Sequence, residues 1–220
     1  MAKLKLRIDQ LLLSAQVMID NALADAEIKP ALAAYGYTEE TLTVGKNLYE
    51  KATLLQNTRK KEYGEQIAAT AELNESREKA KQQYMKTLKI ARVALKESAK
   101  AGEAIMLYGV RKRSLSGWFE QARAFYANLL SDPEFITRLS AYGYTREKLE
   151  REFALLDQVI AKHLAQKQET GEAQEATAVR DEALEDLAAW ISDFRAVAKV
   201  ALAENPQQLE KLGMVARSKG

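Results

Sequence analysis

Ala34-Tyr35-Gly36-Tyr37-Thr38 recurs unchanged as Ala141-Tyr142-Gly143-Tyr144-Thr145, an offset of 107 residues. The match continues on both sides. Arg7 to Glu103 aligns with Ser114 to Glu210 without a gap and with about three identities in ten, the signature of an internal repeat. The pentapeptide has a physical reading. Gly36 and Gly143 stand where a helix ends on a left-handed residue, which glycine adopts with little strain. The next residue then packs back on the last turn, pairing Tyr37 with Leu32 and Tyr144 with Leu139. Thr38 and Thr145 cap the helix that follows, with Glu40 and Glu147 near its positive end. The motif therefore reads as a helix-stop-helix corner. A paired-tyrosine ligand site is the lesser alternative.

Outward from the corner, each copy begins with an amphipathic helix, expected at about Leu4 to Ala24 and about Gly117 to Leu130. Its apolar stripe is Leu12, Ala15, Ile19 and Leu23 in one copy, and Phe119, Ala122, Tyr126 and Leu130 in the other. A short helix follows, with Ser131 as expected N-cap, Glu134 completing a capping box and Pro133 in the first turn. Asp25 and Glu27 are kept in the first copy.

Beyond the corner, neither Thr38 to Glu97 nor Thr145 to Glu204 contains proline. A continuous helix of about 58 residues would be about 87 Å long. The alternative is a hairpin turning near Gly64 and Gly171, the only punctuation that the copies share. Gap-free alignment and heptad-like ladders favour the long, coiled-coil-like helix. Those ladders are Leu149, Phe153, Leu156 and Ile160, then Leu184, Ala188 and Ile191. The small central residues Gly64, Ala68, Ala71, Gly171 and Ala178 would let two antiparallel long helices cross closely. Asn205 and Pro206 stop the second long helix and start a short one from Gln207 to Leu212. The first copy has Ser98 and Gly102 there, then a helix to Tyr108 ended by Gly109. The expected fold is all-α: an elongated helical bundle of two tandem copies, 1–110 and 111–220, packed as one quasi-symmetric domain.

Composition agrees. Of 220 residues, 47% are hydrophobic, with three prolines and ten glycines, so a helical core is expected. Net charge is +2, and halves divided near residue 110 carry about +3 and −1, without the excess of a nucleic-acid binder. Lys3-Lys5-Arg7, Arg59-Lys60-Lys61 and Arg111-Lys112-Arg113 are basic clusters, but the middle one becomes Gln166-Lys167-Gln168 in the second copy. There is no cysteine, which removes disulfides, thiolate catalysis and cysteine-bound zinc and fits a cytoplasmic location. Lys3 to Leu13 loosely mimics a signal peptide, yet Asp9 and Gln10 interrupt it, and it aligns with the internal stretch from Ser114. No stretch reaches the roughly 18 apolar residues of a membrane span.

Chemistry is sparse. His163 is the one histidine, and Gln56 occupies its place in the first copy. The residue three before it is Ile160, so the Glu-x-x-His of a bundle di-metal site is missing. No Ser-His-Asp set or phosphate-cradling glycine loop can be assembled. Four helix-spaced carboxylate pairs remain, shared by the copies: Glu62 with Glu65, Glu75 with Glu78, Glu169 with Glu172, and Glu182 with Glu185. They suit a hard cation, or a solvated face, since Lys60, Lys61, Lys79 and Lys167 lie among them. No catalytic, cofactor-binding or metal residue is assigned. The leading expectation is a non-enzymatic structural or protein-interaction module, with a protein partner or a homodimer. The alternatives are a carboxylate-based metal or small-ligand bundle, and a nucleic-acid binder.

The corner, Lys89 to Leu95 and Ser114 to Trp118 together resemble a family of bacterial all-helical proteins with the same duplication and no assigned activity. That resemblance implies a bacterial, cytoplasmic, all-helical protein. It transfers no site.

Overall fold

The computed structural model describes residues 8–215, and every regular element in them is an α-helix. The helices are α1 (Ile8–Ala24), α2 (Ile28–Ala33), α3 (Glu39–Ala94), α4 (Ala99–Ala104), α5 (Leu115–Ser131), α6 (Pro133–Ser140), α7 (Arg146–Ala201) and α8 (Gln207–Lys211). Among the described residues there is no strand, and no helix is long and apolar enough to cross a membrane. The part of the first helix expected at residues 4–7 lies outside the described residues.

Both corners close as the pentapeptide dictates. Gly36 has φ +87° and Gly143 φ +77°. Tyr37 N–H donates to the Leu32 carbonyl (3.1 Å) and Tyr144 N–H to that of Leu139 (3.2 Å). Gly36 and Gly143 donate one residue nearer the helix end, to Ala33 and Ser140. That pair of bonds satisfies carbonyls the helix end would leave open. Thr38 Oγ1 accepts from Thr41 N–H and Thr145 Oγ1 from Lys148 N–H, at 3.4 Å each.

α3 and α7 are each one helix of 56 residues, beginning and ending 107 residues apart. The hairpin alternative is thereby excluded. Gly64 and Gly171 also do not serve a close crossing. Both are exposed, and a Cβ on either would meet nothing within 4 Å. Ala68, Ala71 and Ala178 are exposed as well. The small residues are surface positions on a helix whose neighbours supply enough propensity to carry them.

Two other local expectations need correction. Ser131 closes α5, and the cap of α6 is Asp132, whose carboxylate accepts from Glu134 N–H at 2.9 Å. Asp25 does the same one offset earlier, accepting from Glu27 and Ile28. The helix expected to run to Tyr108 stops at Ala104, because Met106 takes the left-handed conformation (φ +50°). Gly213 holds the corresponding place after α8, at φ +68°.

The chain forms two compact units that do not follow the sequence boundary near residue 110. The first contains residues up to Gly64 and from Gly171 onward, and the second runs from Glu65 to Thr170. Each unit therefore takes helices from both sequence halves. In the first, α1, α2, the start of α3, the end of α7 and α8 enclose Met18, Ile19, Ile28, Leu32, Leu42, Leu187, Phe194 and Leu202. In the second, the end of α3, α4, α5, α6 and the start of α7 enclose Tyr84, Leu88, Leu95, Phe125, Tyr126, Phe135, Leu139 and Leu149. At about 1.5–3 kcal/mol for each large apolar side chain fully buried, these two cores dominate the fold.

Within each unit α3 and α7 run antiparallel. Gln56 meets Arg180 while Gly45 meets Trp190, and Glu72 meets Lys162 while Thr87 meets Glu152. Gly45 is explained by this packing. A Cβ there would overlap the Trp190 ring, which in turn stacks on Phe194 at 5.2 Å and 8°.

Candidate functional site

The corner tyrosines do not form a site. Tyr35 and Tyr142 are 54% and 50% exposed, whereas Tyr37 sets its ring edge-on to Trp190 and Phe194. Tyr144 carries the Lys148 ammonium 3.4 Å above its ring. The two tyrosines of each corner thus face different surroundings, as a corner requires and a shared ligand site does not.

The carboxylate pairs are distributed along α3 and α7. Glu182 and Glu185 are exposed on α7. Glu78 pairs with Lys81 at 3.2 Å, the ordinary arrangement of a solvated helix face. In the second unit, carboxylate oxygens of Glu65 and Glu169 lie within 4.8 Å of each other. His163 is half-buried, and its Nδ1 has no hydrogen-bond partner. Gln56, its counterpart, is buried and accepts from Arg180 Nη1 at 3.2 Å.

Two grooves lie between α3 and α7, one in each unit. In the first unit, Leu55, Thr58 and Glu62 form one wall, and Glu172, Glu175, Ala176 and Val179 the other, around about 310 Å³. The spacings of 3 and 4 place each set on one face of its helix. Leu54, 66% exposed, stands one helical turn before Thr58, whose hydroxyl donates to its carbonyl at 3.2 Å. Val179 is 40% exposed. The lining is apolar at Leu55, Ala176 and Val179, with Glu62, Glu172 and Glu175 among them. In the second unit, Glu72, Glu75, Ser76 and Lys79 face Gln158, Ala161 and Lys162 around about 410 Å³. There Lys162 reaches Glu72 at 2.6 Å, so opposite charges meet across the groove.

A buried polar cluster in the second unit escaped the sequence reading. Glu152 is 7% exposed, and its Oε2 accepts from the Thr87 hydroxyl and, at 3.1 Å, from the Tyr126 hydroxyl. Burial and the Glu152 charge push the Tyr126 phenol well above its ordinary pKa. Tyr84 packs beside Tyr126 and accepts from Arg111 Nη1 at 2.9 Å. The signal was present in the alignment. At the same offset, Glu152, Tyr126 and Thr87 stand where the other half has Gly45, Ile19 and Phe194. One unit thus holds three linked polar groups where the other holds an aromatic stack.

Comparison with family models, with curated proteins and with solved structures returned no match.

Proposed function

We propose that this chain is a non-enzymatic protein-interaction module that works through apolar side chains its long helices leave uncovered. The observation that supports this reading is the apolar surface that the first unit leaves uncovered: Val179, 40% exposed, lines the groove with Leu55 and Ala176, and Leu54, 66% exposed, precedes Leu55 on α3. Contiguous exposed apolar surface is costly in water and marks recognition faces. The reading carries with it the expectations of a protein partner or homodimer, a cytoplasmic location and a bacterial source. The test is photocrosslinking in cells with a photoreactive residue at position 54 and, as control, at exposed Lys60. A protein adduct formed at 54, absent at 60 and abolished by Val179→Asp supports the module. Equal adducts at both positions, or none, would overturn it.

A carboxylate-based cation site is the second reading, favoured by the approach of Glu65 and Glu169. Calorimetric titration with calcium, magnesium and manganese tests it. Saturable heat that Glu169→Gln removes supports the site, and no saturable heat contradicts it.

A further inference from the structure

We infer that residues 105–113, which lead from α4 to α5, form a strap that opens while both cores stay folded, that Arg111 locks it, and that the closed strap is a lid on the buried Glu152 cluster.

The strap is seated as an extended ligand would be, by alternating anchors and by side-chain donors. Ile105 and Leu107 are buried in the second core, whereas Met106 and Tyr108 are exposed. From 108 to 113, among the described residues, no backbone group is bonded to another backbone group. Side chains of α3 and α5 supply the bonds instead. Arg92 Nε donates to the Leu107 carbonyl (2.7 Å), Gln121 Nε2 to that of Val110 (3.3 Å) and Arg77 Nη2 to that of Arg113 (2.8 Å). Gln121 Oε1 accepts from Lys112 N–H at 3.1 Å. A segment with two apolar anchors and no ladder of its own belongs to the part of a fold that opens first.

Arg111 closes the strap on itself and on α3. Its Nη2 donates to the carbonyls of Met106 (2.7 Å) and Tyr108 (2.6 Å), and its Nη1 to the Tyr84 hydroxyl at 2.9 Å. The rigid fork of a guanidinium serves all three acceptors at once. The bend it holds is strained, because Met106 takes φ +50°. The first unit is the internal comparison. There Leu212 and Met214 are again buried on either side of a left-handed residue, but that residue is Gly213, and Ile191 stands at the place of Tyr84. The strained bend and the tyrosine that takes the arginine thus occur together in the second unit. What lies beneath them is polar. Tyr84 is fully buried beside Tyr126, which with Thr87 donates to Glu152. Lifting Arg111 frees the Tyr84 hydroxyl for water at the edge of that cluster.

Amide hydrogen exchange, read by NMR on the full chain, tests the strap at Leu107 and Lys112, whose N–H groups are bonded to the Gly102 carbonyl and to Gln121. Protection at these two amides should agree within about threefold and lie at least about tenfold below that of Leu88 in α3 and Phe125 in α5. Arg111→Gln should lower it at least about tenfold at both while leaving Leu88 and Phe125 unchanged. Tyr84→Phe should lower it in the wild-type protein and hardly at all once Arg111→Gln is present, because the bond it removes is then already gone. The Tyr126 hydroxyl proton, held by Glu152, reports on the lid: its exchange with water should quicken at least about tenfold in Arg111→Gln. Strap amides as protected as the helices, or a response to Arg111→Gln at only one of the two, would overturn the strap. Additive effects of Tyr84→Phe and Arg111→Gln would overturn the lock, and an unchanged Tyr126 hydroxyl would overturn the lid.

Discussion

Glu152 and Met106 are the residues at which the two halves differ with the clearest consequence. Glu152 lies buried with the hydroxyls of Thr87 and Tyr126 donating to it. Removing the carboxylate strands two buried donors, each costing about 1–3 kcal/mol when unpaired. Glu152→Ala is therefore expected to destabilise the fold by about 2–4 kcal/mol and Glu152→Gln by clearly less, because the amide still accepts. Urea melts of the three proteins check this, and equal losses for both variants would contradict it. Met106 holds φ +50°, a conformation that costs a side chain about 1–2 kcal/mol. Met106→Gly should stabilise the protein by about 0.5–1 kcal/mol, after allowing for glycine's added freedom in the unfolded chain. Thermal unfolding tests it. Sequence reading located Gly36 and Gly143 because glycine advertises a left-handed stop. Nothing in a methionine advertises one, so the end of α4 was placed four residues late. Glu152 was marked only by the alignment, where Gly45 takes its place: a carboxylate on a charged helix looks solvated until its neighbours are known.

Among the elements, α3 and α7 carry the account. Their continuity was legible in the missing prolines and the unbroken alignment. The role of their central glycines was not, because a small residue reads the same whether it faces a neighbour or water. The structure gives both open surroundings. Gly64→Ala and Gly171→Ala should therefore each stabilise by about 0.5–1 kcal/mol, the ordinary gain of alanine over glycine inside a helix. A loss of stability in denaturant melts would mean that a turn or a close contact uses them. α8 offers a pH test. Its Lys211 ammonium lies 2.8 Å from the Asp25 carboxylate. That hydrogen bond first, then the backbone N–H groups of Glu27 and Ile28, lower the Asp25 pKa from 3.8 to about 2. A depressed pKa adds stability that is complete above the unfolded value and lost as pH falls through the folded one. The melting difference between the wild-type protein and Asp25→Asn should be present at pH 7 and shrink between pH 4 and pH 2. A difference constant with pH would contradict the assignment. The groove of the first unit was half legible. Glu62 and Glu172 stood out by their spacing, but nothing in the sequence singled out Leu55, Ala176 and Val179. Only the pairing of α3 with α7 shows that they line a groove.

At the scale of the whole molecule, the sequence halves and the compact units are different divisions of one chain. The sequence correspondence at an offset of 107 residues was visible, and the all-α class followed from composition and caps. Which helices pack together was not visible, because the first helices of the two halves carry apolar stripes of the same spacing, Leu12, Ala15, Ile19 and Leu23 against Phe119, Ala122, Tyr126 and Leu130, and either could meet either long helix. Each core takes α3 and α7 together, so each needs residues from both sides of position 110. Isolated halves would expose the faces that these cores bury, at a cost far above the few kcal/mol by which domains are stable. The direct measurement is thermal unfolding, with sedimentation, of the fragments 1–110 and 111–220 alone and mixed. Neither fragment alone should show a cooperative monomeric transition, and the mixture should show one. A fragment that is monomeric and melts cooperatively by itself would contradict it.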